Sequence, residues 1–269
     1  MRAVVSVLVC LLCFSTFTEY LDAQETELEI DGGIKIGDVT SSPEPGTIRW
    51  TGGDFEGWNG EKWVSLTGYS KGTVTDIDGN VYRTVKIGPH VWTIDNLRVT
   101  RYYNGEAIEH LPESSKWPLT TQGAYCWYDN FSSNEIPYGK LYNWWAVQTD
   151  KLCPSGWHVA TDTEWDFLAM VFYGKDVAGG FLKETGTSHW YQPNSYASNE
   201  SGFTALPGGI RYSDGGFANG RLWANYWSRD LYANDVTFAT FQQLAHDDSK
   251  LYFGWVGKNN GCSVRCVKD

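Results

Sequence analysis

Positive charge is scarce in this chain: 21 Lys and Arg stand against 32 Asp and Glu, for a formal net charge of −11. Binding nucleic acid needs clustered Lys and Arg that displace counterions from phosphates, so a nucleic-acid partner is not expected. Long apolar runs are nearly missing too. The one run, Val4 to Phe17, follows Arg2, ends before the small residue Ala23, and is shorter than the roughly 18–20 residues a membrane span requires. A basic start, an apolar core and a small residue before the cut describe a secretory signal peptide over residues 1–23. Histidine is sparse and scattered, at His90, His110, His158, His189 and His246, and no HExxH, GxSxG or P-loop pattern occurs. His158, just before an amphipathic run, reads as a satisfied structural histidine, and Asp247-Asp248 as solvated loop charge. Nothing here asks for catalysis, and a non-enzymatic protein is expected.

Two of the six cysteines, Cys10 and Cys13, lie in the leader and lack the small-residue context of a lipoprotein cleavage site. Export leaves Cys126, Cys153, Cys262 and Cys266, an even number that suggests disulfides in an oxidising compartment, with three possible pairings. Zinc is disfavoured, because the spacing is wrong and no histidine lies near. Cys262 and Cys266, four apart in an alternating segment, share a face but stand too far apart to bond to each other.

What the chain does have is a well-marked helix. Thr161 and Glu164 form an S/T-x-x-E capping box, and Asp162 and Glu164 set negative charge at the positive end of the helix dipole. Trp165, Leu168, Ala169 and Phe172 then fall at i, i+3, i+4 and i+7 on one buried face. Gly174 is the expected C′ residue. Upstream, residues 24–45 read as a linker, and residues 46–70 as a small β stub whose Asn59-Gly60 marks a hairpin with two left-handed turn residues. Twenty-odd residues cannot hold a stable sheet alone, so the stub is expected to pack on the main domain or to pair with other chains as a homo-oligomer.

The main domain begins near Gly72. Asp76-Ile77-Asp78-Gly79 has its Gly and its twelfth residue, Ile87, wrong for an EF-hand, so it reads as a hairpin turn. Tyr138, Leu141, Tyr142 and Trp145 sit at helical spacing, which predicts a first helix over 138–147 before the capped one. From Val177 onward the chain is Gly-, Asn- and Ser-rich, with isolated strands around 202–211, 221–230, 236–244 and 261–269. Two helices with many short strands and long loops make an α+β pattern.

DGNVYRTVKIG, NLRVTRYYNGE, GAYCWYDN, YGKLYNWWAV, LCPSGWHVATDTEW, LKETGTSHW, NESGFTALPGG and SVRCV occur in order over residues 72–269. Together they resemble the Fibrobacter succinogenes major paralogous domain, a family of exported proteins frequent in Bacteroidetes and Fibrobacteres. More distantly, HVATDTEW with a GG-containing strand and SVRCV resembles the formylglycine-generating-enzyme branch of the C-type-lectin-like fold. That likeness implies two helices, a twisted antiparallel sheet, long exposed loops, and a disulfide from Cys153 to Cys266, with Cys126 and Cys262 as the second pair. The stub resembles the short β stubs of phage tail-fibre and adhesin-like surface proteins.

The expected role is recognition, adhesion or surface assembly, outside the cell or at its surface, with a glycan or protein as ligand. Tyr191, Tyr196, Tyr212, Trp223, Tyr226 and Tyr232 sit in or beside the long loops, and aromatic residues dominate recognition hot spots. A calcium-dependent lectin is the alternative. Gln192-Pro193-Asn194 resembles the Pro-centred sugar triplets of C-type lectins, with Asn199-Glu200 in the same loop and Trp227-Ser228-Arg229-Asp230 in place of Trp-Asn-Asp. Asn194, Asn199, Glu200 and Asp230 are then the candidate calcium ligands, with Arg229 opposing the ion. An oxidase-like enzyme on the same scaffold comes third.

Overall fold

The computed structural model describes residues 43–50, 55–66 and 71–269. The signal segment 1–23 and residues 24–42 of the linker lie outside the described residues. The chain divides at Thr67/Gly68 into two units.

In the N-terminal unit, strands Ile48–Trp50, Phe55–Trp58 and Trp63–Ser65 form an antiparallel meander. Arg49 pairs with Glu56 at 2.6 Å and lies over the Trp63 ring. Asn59-Gly60 does start the second hairpin, but Trp58 pairs with Trp63 across a longer loop. Asn59 Oδ1 accepts the N–H groups of Glu61 and Lys62, so only Gly60 needs a left-handed φ.

The larger unit is mixed, mostly antiparallel sheet with few helices. A five-stranded sheet runs in the order Trp157–Val159, Cys266–Lys268, His90–Thr93, Val81–Ile87, Lys71–Thr75. The DxDG segment is its hairpin turn, as the sequence predicts. Asp76 holds that turn, accepting from the N–H groups of Asp78 and Asn80 and from the Tyr82 hydroxyl. A six-stranded sheet follows the order Phe217–Ala218, Ile210–Arg211, Gly261–Cys262, Leu141–Asn143, Ala124–Cys126, Glu109–His110, with the last pair parallel. Strands Trp223–Leu231, Phe238–Ala245 and Tyr252–Gly257 form a third sheet.

Helix Asp162–Val171 carries both halves of the predicted capping box. Its C-terminal end is a Schellman-type turn: Tyr173 takes the left-handed C′ position expected for Gly174, and the Gly174 N–H reaches the Ala169 carbonyl. Trp165 from this helix packs with Trp92 (4.9 Å between centroids), Phe203 and Tyr226 at the centre of one core.

Two predictions about helices fail. Residues 138–147 are not one helix: Leu141–Asn143 is an inner strand and only Trp144–Val147 makes a helical turn. Gly139 is left-handed, with no room for a Cβ beside Asn96, and the Asn143 side chain caps the turn by accepting from Ala146. The second substantial helix is instead Lys175–Leu182, which runs into the start of the Gly-, Asn- and Ser-rich stretch where the sequence predicts no helix.

Cys153 and Cys266 form a disulfide across 113 residues of sequence, tying the last strand to the segment before the capped helix. Cys126 and Cys262 are free and buried, so the second bridge implied by the family likeness is absent. The reason is register. Cys126 pairs with Leu141 and Cys262 with Tyr142, on either side of one intervening strand. Two strand spacings, roughly 9–10 Å, exceed the reach of a disulfide, and neighbouring residues 141 and 142 face opposite sides of the sheet.

Candidate functional site

The six loop aromatics do not make one surface. Tyr226 is fully buried, its hydroxyl accepting from the Leu206 N–H, and belongs to the core rather than to a binding face. Its strand, Trp223–Leu231, is buried on both faces from Ala224 to Ser228. Tyr232 stacks flat on Trp255 at 4.2 Å, Trp223 is half-buried in its strand, and Tyr196 and Tyr212 are exposed. Tyr191 lines a concave site.

That site is a cleft of about 430 Å³ whose walls include Tyr128, Tyr138, Tyr191 and Arg221. A neighbouring cleft of about 480 Å³ shares Tyr191 and Arg221, so these two residues form the ridge between both hollows. Arg221 is the organiser. Its Nε donates to the His189 carbonyl at 3.0 Å, its terminal nitrogen reaches the carbonyls of Thr187 and Ser188, and its guanidinium lies 4.7 Å from the Tyr191 ring. The Tyr191 N–H closes the link by donating to the Arg221 carbonyl. One cation thereby fixes the 187–191 loop against the 219–222 loop.

The opposite wall is set by glycine. The Tyr128 hydroxyl accepts from the Gly220 N–H at 3.1 Å, and a Cβ at Gly209 or Gly220 would stand 2.5 Å from the Tyr128 ring. Tyr138 crosses His189 edge-on at 5.8 Å, and His189 is held in turn by Glu184 at 2.8 Å. Burial lifts the Tyr128 and Tyr138 phenols above their ordinary pKa, so both present neutral hydroxyls. Asp129 lines the same cleft, and its carboxyl is pushed upward by desolvation. Asp129, Asn130, Asn219 and Arg221 all hold left-handed φ values, a concentration of uncommon backbone geometry of the kind that gathers at functional sites.

Three of the four candidate calcium ligands, Asn194, Asn199 and Asp230, make local side-chain hydrogen bonds. Asn194 Nδ2 donates to the carbonyls of Glu184 and Gly186, and Asn199 is folded onto Thr204. Glu200 is exposed, and Asp230 accepts the Asp162 N–H at the start of the capped helix. Arg229 turns away to pair with Asp150. Among the described residues, no group of three or more His, Cys, Asp or Glu could hold a metal ion.

A family model described as the Fibrobacter succinogenes major domain matches residues 85–268. The chain belongs to that family. The matched stretch contains every residue of the cleft and both partners of the Cys153–Cys266 disulfide. No curated protein and no solved structure matches the chain. Within this Fibrobacter succinogenes major domain, sequence reasoning missed Tyr128, Tyr138 and Arg221. The turn-forming pairs Asp129-Asn130 and Asn219-Gly220 flag their loops, but nothing in linear spacing joins segments some ninety residues apart, as Tyr128 and Gly220 are.

Proposed function

We propose that this chain is a non-enzymatic recognition module of an exported or cell-surface protein, built on a C-type-lectin-like scaffold, and that it binds glycan at the Tyr191–Arg221 cleft. The observation that carries this reading is the cleft: three tyrosines and an immobilised guanidinium line a hollow within the usual range for small-molecule sites. Neutral phenols offer flat faces for sugar C–H groups and hydroxyls for sugar oxygens, and Arg221 adds donors on a loop that has little left to order. The scaffold assignment is supported by two successive helices, antiparallel sheets and a disulfide that anchors the terminal strand. Surface assembly through the stub is supported by the exposed Ile48, Val64 and Leu66.

Glycan-array screening of the mature protein tests the reading, followed by calorimetry on the best ligand with Tyr191→Ala. Tyr191 is half exposed, so the variant is expected to fold while losing at least about tenfold in affinity, or roughly 1.4 kcal/mol. EDTA is expected to leave binding unchanged. Calcium dependence would favour the lectin alternative, and full affinity in Tyr191→Ala would remove the cleft from the account. Light scattering of the same preparations is expected to show a multimer that is lost when residues 25–68 are deleted. An unchanged mass sinks assembly through the stub.

A further inference from the structure

A further concave site lies in the larger unit, and its chemistry differs from that of the tyrosine cleft. It is a hollow of about 730 Å³ bounded by Trp145, Val236 and Phe238 on apolar sides and by Ser213, Thr237 and Lys258 on polar ones. Lys258 Nζ lies 5.0 Å from the Trp144 ring and 5.3 Å from the Trp145 ring, so two indole faces hold the ammonium. Among the described residues no carboxylate stands within ion-pair distance of Lys258. In a chain with a large excess of acid, a half-buried cation left without a counter-ion at the mouth of a hollow is a chemical feature in its own right.

The walls are fixed before any ligand arrives. Asn259 Oδ1 accepts from the Trp145 indole N–H at 3.0 Å, while its Nδ2 donates to the carbonyls of Trp117, Pro118 and Thr120. The Trp144 N–H donates to the Lys258 carbonyl at 2.9 Å, which sets the lysine stem. The two carboxylates beside lining residues in sequence are turned into their own turns: Asp214 accepts from the Gly216 N–H, and Asp235 accepts from the N–H and hydroxyl of Thr237. Neither lines the hollow. A rigid indole wall, a preset ammonium and two hydroxyls make a site whose ordering cost is already met.

We propose that this hollow binds an acidic sugar, a uronic acid residue of a polysaccharide. The carboxylate pairs with Lys258, the C–H face of the ring lies on Trp145 with Val236 and Phe238 beside it, and the ring hydroxyls meet Ser213 and Thr237. A lone ammonium is a compact point charge that a single carboxylate can neutralise, and the mixture of polar and apolar walls suits a sugar better than a lipid tail. The site is separate from the tyrosine cleft and shares no lining residue with it.

Trigalacturonate and maltotriose are the probes, each titrated at millimolar concentration into the mature, oxidised protein by calorimetry and by proton–nitrogen NMR of the indole groups. The expected result is that trigalacturonate binds at least about tenfold more tightly than maltotriose, shifts the Trp145 indole resonance (identified by its loss in Trp145→Phe), and weakens with added salt. Lys258→Met is expected to lose at least tenfold and Lys258→Arg to recover most of it, while Tyr191→Ala leaves trigalacturonate binding intact. The proposal is overturned if trigalacturonate fails to bind, if the neutral trimer binds equally well, or if Lys258→Met keeps full affinity. The comparison of the two trimers on the unaltered protein decides the matter even if Lys258→Met does not fold. Loss of trigalacturonate binding in Tyr191→Ala would move the acid to the other cleft and overturn this assignment alone.

Discussion

Arg265 should be the most stability-critical charge in the molecule. It is fully buried, and among the described residues no carboxylate pairs with it. Its Nε donates to Asn96 Oδ1 at 2.7 Å, one terminal nitrogen to the carbonyls of Thr93 and Phe203, and the other to the Thr204 carbonyl. The Phe203 and Tyr226 rings cover it at 4.5 and 5.3 Å. Burial pulls its pKa below the ordinary arginine value, but the group has far to fall before it would lose its proton at neutral pH. Arg265→Met keeps much of the apolar length and removes every donor. Four acceptors then lose partners, and an unpaired buried group costs about 1–3 kcal/mol each. These losses do not add, because water and backbone relaxation recover part. We expect a net loss of about 3–5 kcal/mol, which for a domain of this size lowers Tm by roughly 6–20 °C. Arg265→Lys, with three donors for four acceptors, should fall between. Urea denaturation of the oxidised proteins, with the disulfide verified by mass, is the assay. A loss below about 1 kcal/mol for the methionine variant would show that the three carbonyls do not depend on the guanidinium, and the reasoning would fail.

Titratable and redox groups supply three further predictions. His158 bridges Glu164 (2.9 Å) and Asp269 (2.6 Å), and these hydrogen bonds raise its pKa against the opposing effect of burial. Its contribution is therefore complete below about pH 6.5 and is lost as pH rises through the raised value. Burial alone would raise Glu164, but His158 and Thr161 hold it below its ordinary range, so its contribution is lost as pH falls through that lowered value. His158→Gln should reduce stability by about 1–2 kcal/mol near pH 6, and the difference from the parent should shrink as pH rises through the raised His158 value; a difference that stays constant with pH would refute the bridge. The disulfide closes a loop of 113 residues, for which chain entropy predicts about 2–5 kcal/mol. Cys153→Ser should lose that much in urea. In the oxidised mature protein, a thiol reagent should find Cys126 and Cys262 only after unfolding, since burial lifts Cys126 to about 11 and Cys262 further; rapid labelling of the native protein would contradict their burial.

Local signals in this sequence were legible where the interaction is local. The Thr161–Glu164 capping box and the Asp78-Gly79 hairpin are each decided within a few residues, and both are present. Helix Lys175–Leu182 was invisible because Gly179 and Gly180 lower helix propensity. The structure explains them: a Cβ at Gly179 would stand 2.3 Å from the Lys250 carbonyl oxygen, and one at Gly180 would stand 2.7 Å from that of Tyr196. The glycines answer to a close backbone approach that linear sequence does not display. The same holds for the cleft, where Arg221 comes from a turn some eighty to ninety residues beyond the short helical turns that carry Tyr128 and Tyr138. The spacing of Tyr138, Leu141, Tyr142 and Trp145 misled for a different reason: a helical period is also met by an inner strand followed by one helical turn, when both are buried.

The buried cations tie these observations together. Lys140, Lys183, Arg211 and Arg265 are all almost completely buried in a chain that has few positive charges to place. Backbone carbonyls take most of their hydrogen bonds. Lys183 Nζ reaches the carbonyls of Ser195, Ala245 and Asp248, and Arg211 reaches those of Leu111, Pro112 and Gly215. Lys140 joins the Arg98 carbonyl to Glu135. Short strands and long loops leave many carbonyls with no ladder partner, and each buried one must find a donor. A lysine or arginine head carries three to five donors, enough to gather several loops at one point. Cation burial is thus the loop-rich fold's substitute for extended sheet, and Arg221 applies the same device at the surface, gathering the carbonyls of Thr187, Ser188 and His189 beneath Tyr191. The cleft is then an exposed instance of the architecture that holds the interior, which is why its loops can be long and still present a fixed face. Lys258 departs from this pattern. Its head lies on indole rings with no carbonyl hydrogen bond among the described residues, so its donors are still available to a ligand.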